Sequence, residues 1–91
     1  MKYKYRASNI FWKKFYQLPS EQKNSVREAW KLFKENPFAP QLNTHRIHYL
    51  SSLASRSVYA VEIENDLRSI FYIDGDTVYT FDIGTHAVHK N

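Results

Sequence analysis

The residues best suited to chemistry in this chain lie near its end, where a strand-like run reaches Gly84 and His86 follows two positions later. Glycine adopts backbone angles that other residues disfavour, so Gly84 can turn the chain and present His86 beside a sheet. An imidazole both donates and accepts protons near neutral pH. The pattern therefore predicts a general acid or base at His86, with an ordinary strand-end histidine bonded to the backbone as the alternative.

The histidines form two His-x-x-His pairs, His45 with His48 and His86 with His89, which raises the question of a zinc site. Residues three apart on a strand point to opposite faces, so His45 and His48 cannot hold one ion without a turn between them. The chain has no cysteine, no Gly-x-Ser-x-Gly motif and only two glycines. We therefore expect no metal ion, no cofactor, no serine-hydrolase elbow and no glycine-rich phosphate loop.

Histidines, carboxylates and arginines are sufficient to cleave RNA without a cofactor. A base removes the proton from the 2′-hydroxyl, an acid protonates the leaving 5′-oxygen, and a cation stabilises the charge on phosphorus. The net charge of +4 suits an anionic polymer. Residues 1–34 are rich in lysine and arginine, whereas residues 57–82 contain one basic residue, Arg68. The basic part predicts binding of nucleic acid or an acidic protein segment; a merely solvated surface is the alternative.

The elements that would position these residues begin with a strand and two helices. Residues 2–6 alternate basic and aromatic side chains, as in a half-buried strand. Ser8 and Ser20 are predicted to cap two helices, and prolines follow each of them. The aromatic residues Trp12 and Trp30 fall at helical spacing with other apolar residues, so we expect both in the core. The two helices are predicted to form a helical hairpin.

From residue 44 the apolar period changes to two, which indicates strands. The predicted strands are Thr44–Leu50, Ser57–Ile63, Leu67–Ile73 and Thr77–Ile83. Asp74-Gly75-Asp76 and Glu64-Asn65-Asp66 are hairpin turn signals, so neighbouring strands should be antiparallel. The chain is thus predicted to be one α+β domain over residues 1–91, with an N-terminal strand and a helical hairpin packed on an antiparallel β-sheet meander. Arg68 should lie on the other face.

This order of elements and motifs resembles the RelE/ParE superfamily of bacterial toxins from type II toxin–antitoxin systems. The similarity covers nearly the whole chain and is strongest from residue 56, where the family often reads close to W-S-x-R-V, D-Y-R-A-I-F and I-G-T-H. The matching segments are His45–Leu50, Arg56–Val61, Asp66–Phe71 and Asp82–His86. The Gly-Thr-His ending is most like the YafQ branch, whose members are messenger-RNA endonucleases acting on translating ribosomes.

The resemblance implies a set of site residues. In the YafQ branch the histidine of Gly-Thr-His is catalytic, and His86 stands in its place. The aspartate of the branch corresponds to Asp66, and a further histidine corresponds to His48. The remaining histidine falls on Glu62, a carboxylate that can also act as a base. The family's arginine is kept as Arg68, which would hold the phosphate or pair with a carboxylate across the sheet.

The resemblance also implies the partners. We expect a cytoplasmic endoribonuclease, an mRNA interferase, that needs no cofactor or membrane, binds RNA or the ribosome, and is masked by an antitoxin protein. Arg46 and Arg56 are further candidates for RNA binding, together with Glu62. Two alternatives stay open: a ParE-like inhibitor of DNA gyrase, and an inactive binding domain. In an inactive binding domain, catalysis would have been lost together with two family residues. Glu62 stands where the YafQ branch has a histidine, and Leu67 stands where the family has a tyrosine.

Overall fold

The computed structural model describes residues 2–85, which form three α-helices, one 3-10 turn and a five-stranded sheet. The elements are β1 (Lys4–Ala7), α1 (Asn9–Tyr16), α2 (Ser20–Glu35), the 3-10 turn Pro40–Leu42, β2 (His45–Arg46), α3 (His48–Ala54), β3 (Val58–Glu64), β4 (Leu67–Asp74) and β5 (Thr77–Gly84). The strand order is β1-β5-β4-β3-β2. The predicted α+β architecture is confirmed, and strands β3, β4 and β5 form the expected antiparallel meander.

Strand β1 adds a feature that the sequence did not predict, because it pairs with β5 in parallel and makes the sheet mixed. The chain leaves β1 through Ser8, whose hydroxyl oxygen accepts a hydrogen bond from the Phe11 amide at 3.0 Å and caps α1 as predicted. The same hydroxyl donates to the Phe81 carbonyl at 2.7 Å. One serine therefore begins the helix and fastens it to β5. The second predicted cap is wrong: α2 begins after Pro19, and Ser20 makes no capping bond.

The helical hairpin packs on one face of the sheet and forms the main core. Its buried side chains include Phe11 and Phe15 from α1 and Phe33 from α2. They meet the strand residues Leu67 and Phe71, and Phe33 contacts Phe71 edge to face at 4.9 Å between ring centroids. Each such side chain contributes about 1.5–3 kcal/mol when buried. This face of the sheet therefore carries the larger part of the core.

The two tryptophans behave differently from each other. Trp30 is partly buried and packs against the core, as expected. Trp12 is 42% exposed, so its predicted place in the core is wrong. A helix turns by about 100° per residue, and Phe11 and Phe15 already occupy the inward stripe of α1. Trp12 therefore lies at the margin of that stripe, where it stacks on the exposed Tyr16.

The predicted strand Thr44–Leu50 is the main error in the predicted fold. Only His45 and Arg46 form a strand, and the chain then turns into α3. The Ile47 amide donates to the Val58 carbonyl at 2.8 Å, and the buried Ser51 hydroxyl accepts from the Val58 amide at 2.8 Å. Ile47 and Leu50, three apart, pack on the sheet face opposite the hairpin. The same apolar spacing fits a strand over a few residues and a helix over a turn, so periodicity could not separate them.

Candidate functional site

The face of the sheet that lies opposite α1 and α2, here called the open face, carries the polar residues of interest. Along β4, Leu67 and Phe71 are buried under the hairpin, whereas Arg68 and Tyr72 are partly exposed on the open face, as predicted. Helix α3 packs on the open face through an apolar cluster that includes Val58 and Ile70, and Tyr72 packs against this cluster. Arg68 and Tyr79 lie outside this cluster and are partly exposed, so a ligand can reach the sheet beside each of them.

At one end, three residues of neighbouring strands stand side by side and are here called the Arg68 row. Arg68 of β4 pairs with Glu62 of β3 on one side and with Gly84 of β5 on the other. Neighbouring strands are about 4.8 Å apart, so an arginine, a carboxylate and the glycine that precedes His86 share one small region. His86 itself, and His89, lie outside the described residues.

Arg68 is half-buried, and its Nε is buried without a hydrogen-bond partner among residues 2–85. Leaving such a donor unsatisfied costs about 1–3 kcal/mol. Asp82 is a carboxylate of the neighbouring strand β5 with which Arg68 could pair across the sheet, but its Oδ1 lies 2.7 Å from Lys14 Nζ. Asp82 is therefore not the hydrogen-bond partner of Arg68 Nε. The Arg68 side chain as a whole is only partly buried, and a guanidinium has the donors required to bind a phosphate oxygen.

Glu62 lies beyond the end of β2, where it belongs to a cluster with His45 and Asn43. The Glu62 carboxylate accepts a hydrogen bond from the Asn43 side-chain amide, and its Oε2 lies 3.9 Å from His45 Nδ1. His45 Nδ1 is also 3.0 Å from the Asn43 carbonyl oxygen. A carbonyl can only accept, so this bond places the proton on Nδ1 and leaves Nε2 of the neutral ring as a proton acceptor.

His45 is thus a candidate site residue that sequence reasoning missed. In the sequence His45 stands out only as half of a His-x-x-His pair, and the family resemblance points to His48 instead. The missing information was the pairing of β2 with β3, which sets His45 opposite Ala60, two positions along the strand from Glu62. Asn43 adopts the left-handed conformation with φ of 47°, which brings its carbonyl and side chain to the same cluster. No sequence signal identified that conformation.

The structure brings some of the predicted residues together and separates others. Asp66 is exposed in the β3–β4 turn, two positions from Arg68 and at the same end of the sheet. His48 begins α3 directly after Ile47, which bonds to Val58 at the opposite end of β3. A strand of this length spans about 20 Å. The backbone therefore places Asp66 near the Arg68 row and His48 at the other end of the strand.

The other predicted RNA-binding residues lie on the side of His48. Arg46 is exposed on the edge strand β2, with its Nε 3.5 Å from Ser51 Oγ. Arg56 precedes β3, and its guanidinium carbon lies 4.5 Å above the centre of the Tyr72 ring. The basic residues of α1 and α2 belong to the opposite side of the molecule, because the hairpin packs on the other face. The chain thus presents two separate basic surfaces.

Within residues 2–85, no group of three or more histidine, cysteine, aspartate or glutamate side chains is arranged to hold a metal ion. In the same part of the chain, no helix has the length and apolar character needed to cross a membrane.

Comparison with known proteins identifies the fold. No protein-family model and no curated protein matches the chain. Solved structures do match it over nearly its whole length. A chain of the archaeal RelE–RelB complex from Pyrococcus horikoshii OT3 is 12% identical, with a TM-score of 0.72 over 93% of this chain and 96% of that chain. A chain of the Escherichia coli DinJ–YafQ toxin–antitoxin complex is 17% identical, with a TM-score of 0.72 over 100% of both chains. The YoeB/ParE toxin from Agrobacterium tumefaciens is 11% identical, with a TM-score of 0.71 over 91% of this chain and 98% of that chain.

Proposed function

We propose that this chain, which has the fold of RelE- and YafQ-type toxins, is the toxin of a type II toxin–antitoxin system and cleaves messenger RNA without a metal ion. The observation that carries the proposal is the Arg68 row. In it, a buried guanidinium N–H without a partner among residues 2–85 lies beside a carboxylate and beside the glycine that precedes His86. An anion-binding group next to proton-transfer groups is the minimum that RNA cleavage by its own 2′-hydroxyl requires.

The roles follow from the chemistry of the groups. Arg68 binds a non-bridging oxygen of the scissile phosphate and stabilises the negative charge that builds on it. Glu62 or His45 Nε2 accepts the proton of the 2′-hydroxyl as its oxygen attacks phosphorus. His86 donates a proton to the 5′-oxygen as the bond from phosphorus to that oxygen breaks. The products are a 2′,3′-cyclic phosphate and a 5′-hydroxyl.

The remaining predicted residues take supporting roles in this proposal. Asp66, at the same end of the sheet as Arg68, orients His86 or stabilises its protonated form, as a carboxylate does beside a catalytic imidazole. His48, Arg46 and Arg56 lie towards the other end and contact the RNA backbone rather than the reacting atoms. This division differs from the grouping of His48 with Asp66 and His86 that the sequence suggested.

The proposed partner is an antitoxin, because two of the matching structures are complexes named RelE–RelB and DinJ–YafQ. Its acidic segment would suit the outer surface of the hairpin. That surface carries basic side chains together with the exposed aromatic residues Trp12 and Tyr16. The basic residues are Lys13, Lys23, Arg27, Lys31 and Lys34.

The test is to induce the chain without an antitoxin and to follow growth and message integrity. His86→Ala is the informative variant, and His89→Ala is its matched control, compared at equal folded levels. Growth arrest with cleaved messages that His86→Ala abolishes and His89→Ala retains supports the proposal. Arrest with intact messages and DNA damage signalling would instead indicate a gyrase inhibitor. Absence of arrest would indicate an inactive binding domain.

A further inference from the structure

A second line of side chains crosses the open face at the end away from Arg68. Arg6 of β1 pairs with Tyr79 of β5, and Tyr79 pairs with Tyr72 of β4. Tyr72 in turn pairs with Val58, the first residue of β3, and Arg56 precedes that residue by two positions. Arg6, Tyr79, Tyr72 and Arg56, here called the tyrosine row, therefore place two aromatic rings between two arginines.

The rings of the tyrosine row are stacked on each other. Tyr72 and Tyr79 lie 5.2 Å apart between centroids with an interplanar angle of 25°. Arg56 approaches Tyr72 from the β3 side, and its guanidinium carbon is 4.5 Å from the ring centre. Tyr72 is thus enclosed between Arg56 and Tyr79. Among residues 2–85, Tyr72 is the one ring stacked on Tyr79, and no guanidinium covers Tyr79.

We propose that the tyrosine row binds one unpaired base of single-stranded RNA, which stacks on the β1 side of Tyr79. Arg6 and Arg56 bind the phosphates on either side of that base. This inference rests on the proposed ribonuclease function and deepens it by assigning a second contact to the substrate. Aromatic rings on a sheet stack any base, because every base has a π-face, and arginines bind the backbone that links them.

The charge of the row favours RNA over a protein segment as the occupant. Both charged members are arginines, and Arg6 and Arg56 are exposed, whereas the rings between them are only partly exposed. Of the acidic side chains near β5, Asp76 lies 3.9 Å from Lys4 and Asp82 binds Lys14, whereas the exposed Asp74 lies beyond Tyr72 at the end of β4. The row therefore presents positive charge around a flat aromatic surface, which complements a base and its two phosphates.

The position of the row fixes which part of the substrate it contacts. Tyr72 and Arg68 lie four positions apart on the same face of β4, which corresponds to about 13 Å. That distance is too long for one nucleotide to touch both groups at the reacting phosphate. The stacked base therefore belongs to a neighbouring nucleotide, and the row determines the register of the strand over Arg68.

The experiment measures binding of a short single-stranded RNA that contains 2-aminopurine and carries 2′-O-methyl groups, so that it cannot be cleaved. Stacking of 2-aminopurine quenches its fluorescence. We expect quenching with the natural chain, and for Tyr79→Leu a loss of quenching with an affinity lower by about 5- to 150-fold. Tyr79→Phe keeps the ring and should keep both properties. Tyr16→Leu, which removes a 66% exposed tyrosine on the opposite side, is the matched control.

Several results would overturn the inference. These are a folded Tyr79→Leu variant that binds and quenches normally, an equal loss in Tyr16→Leu, or duplex RNA bound as tightly as the single strand. If Tyr79→Leu does not fold, the natural chain is compared on the same RNA with an abasic site in place of 2-aminopurine, and unchanged affinity overturns the inference. Because the RNA has no free 2′-hydroxyl, the assay reads binding alone. Failure of the ribonuclease proposal is detected separately, by message cleavage.

Discussion

Glu62 and Arg68 face each other across β3 and β4, yet the carboxylate is bonded to Asn43 and the Arg68 Nε has no hydrogen-bond partner among residues 2–85. Two opposite charges on neighbouring strands would ordinarily satisfy each other. Here the carboxylate is directed to the His45 cluster, and the Arg68 Nε is left buried without a partner among residues 2–85. This separation is consistent with a site that trades some stability for the ability to bind an anion.

Replacing Arg68 should therefore separate activity from stability. In Arg68→Met the unsatisfied donor is removed and an apolar chain of similar length takes its place, so the melting temperature should stay the same or rise. Cleavage of RNA should fall by about 100- to 1000-fold, the usual effect of removing one charge-stabilising donor. Thermal unfolding and a cleavage time course on the same preparation check both parts. A variant that loses both stability and activity would show that Arg68 is structural.

The His45 cluster predicts coupled effects on the reaction. If His45 Nε2 or Glu62 takes the proton of the 2′-hydroxyl, then His45→Gln and Glu62→Gln should each lower the rate constant with little change in RNA affinity. The double variant should lose less than the product of the two single losses, because each residue positions the other. The measurement is the single-turnover rate constant of each single variant and of the double variant. Strictly multiplicative losses would argue that the two residues act independently.

The single hydroxyl of Ser51 should matter more than its size suggests. It accepts the Val58 amide at 2.8 Å in a buried position, so Ser51→Ala leaves that amide without its partner. We expect a loss of about 1–3 kcal/mol in the free energy of unfolding. Ser52→Ala, at the exposed neighbouring position, is the control and should change it by less than about 0.5 kcal/mol. The free energies of unfolding are measured by urea titration of both variants. Equal values for Ser51→Ala and Ser52→Ala would contradict the prediction.

Tyr5 predicts how stability changes at alkaline pH. Burial, with a smaller effect from Tyr3, raises the pKa of the Tyr5 hydroxyl, which donates to the Phe33 carbonyl at 2.9 Å. As pH rises through about 10, the unfolded chain loses this proton before the folded chain does. Its contribution to stability is therefore complete below that pH and is lost as pH rises towards the folded pKa. Melting curves at pH 8 to 11 should show a steeper decline for the natural chain than for Tyr5→Phe.

The parts of the fold that sequence could predict are those fixed by long, consistent local patterns. The meander followed from alternating residues and from turns such as Asp74-Gly75-Asp76, where Gly75 has a φ of 63°. The cap at Ser8 was equally local. The error over Thr44–Leu50 arose because a few residues match both periods, and the contact of Ile47 with Val58 that decides between them is not local.

The candidate site was less predictable than the fold for a related reason. The side of β4 that carries Arg68 followed from alternation alone. The proximity of His45 to Glu62 required the pairing of β2 with β3 and the left-handed Asn43, neither of which has a sequence signature here. The tyrosine row likewise depends on the parallel pairing of β1 with β5, which joins Arg6 to Tyr79. Long-range register, rather than residue type, is what the sequence alone left undetermined.

The parallel pairing of β1 with β5 also governs when the open face comes into existence. Ser8 and Phe81, which are bonded across this junction, are separated by 73 positions in the chain. During synthesis β1 and the helical hairpin are made before β5. At that stage β1 has no strand with which to form its parallel pairing. Contacts of such high sequence separation carry a larger loop-closure entropy cost than local contacts do. Neither the Arg68 row nor the tyrosine row can assemble before β5 is present, so a nascent chain carries no finished open face until β5 has been synthesised.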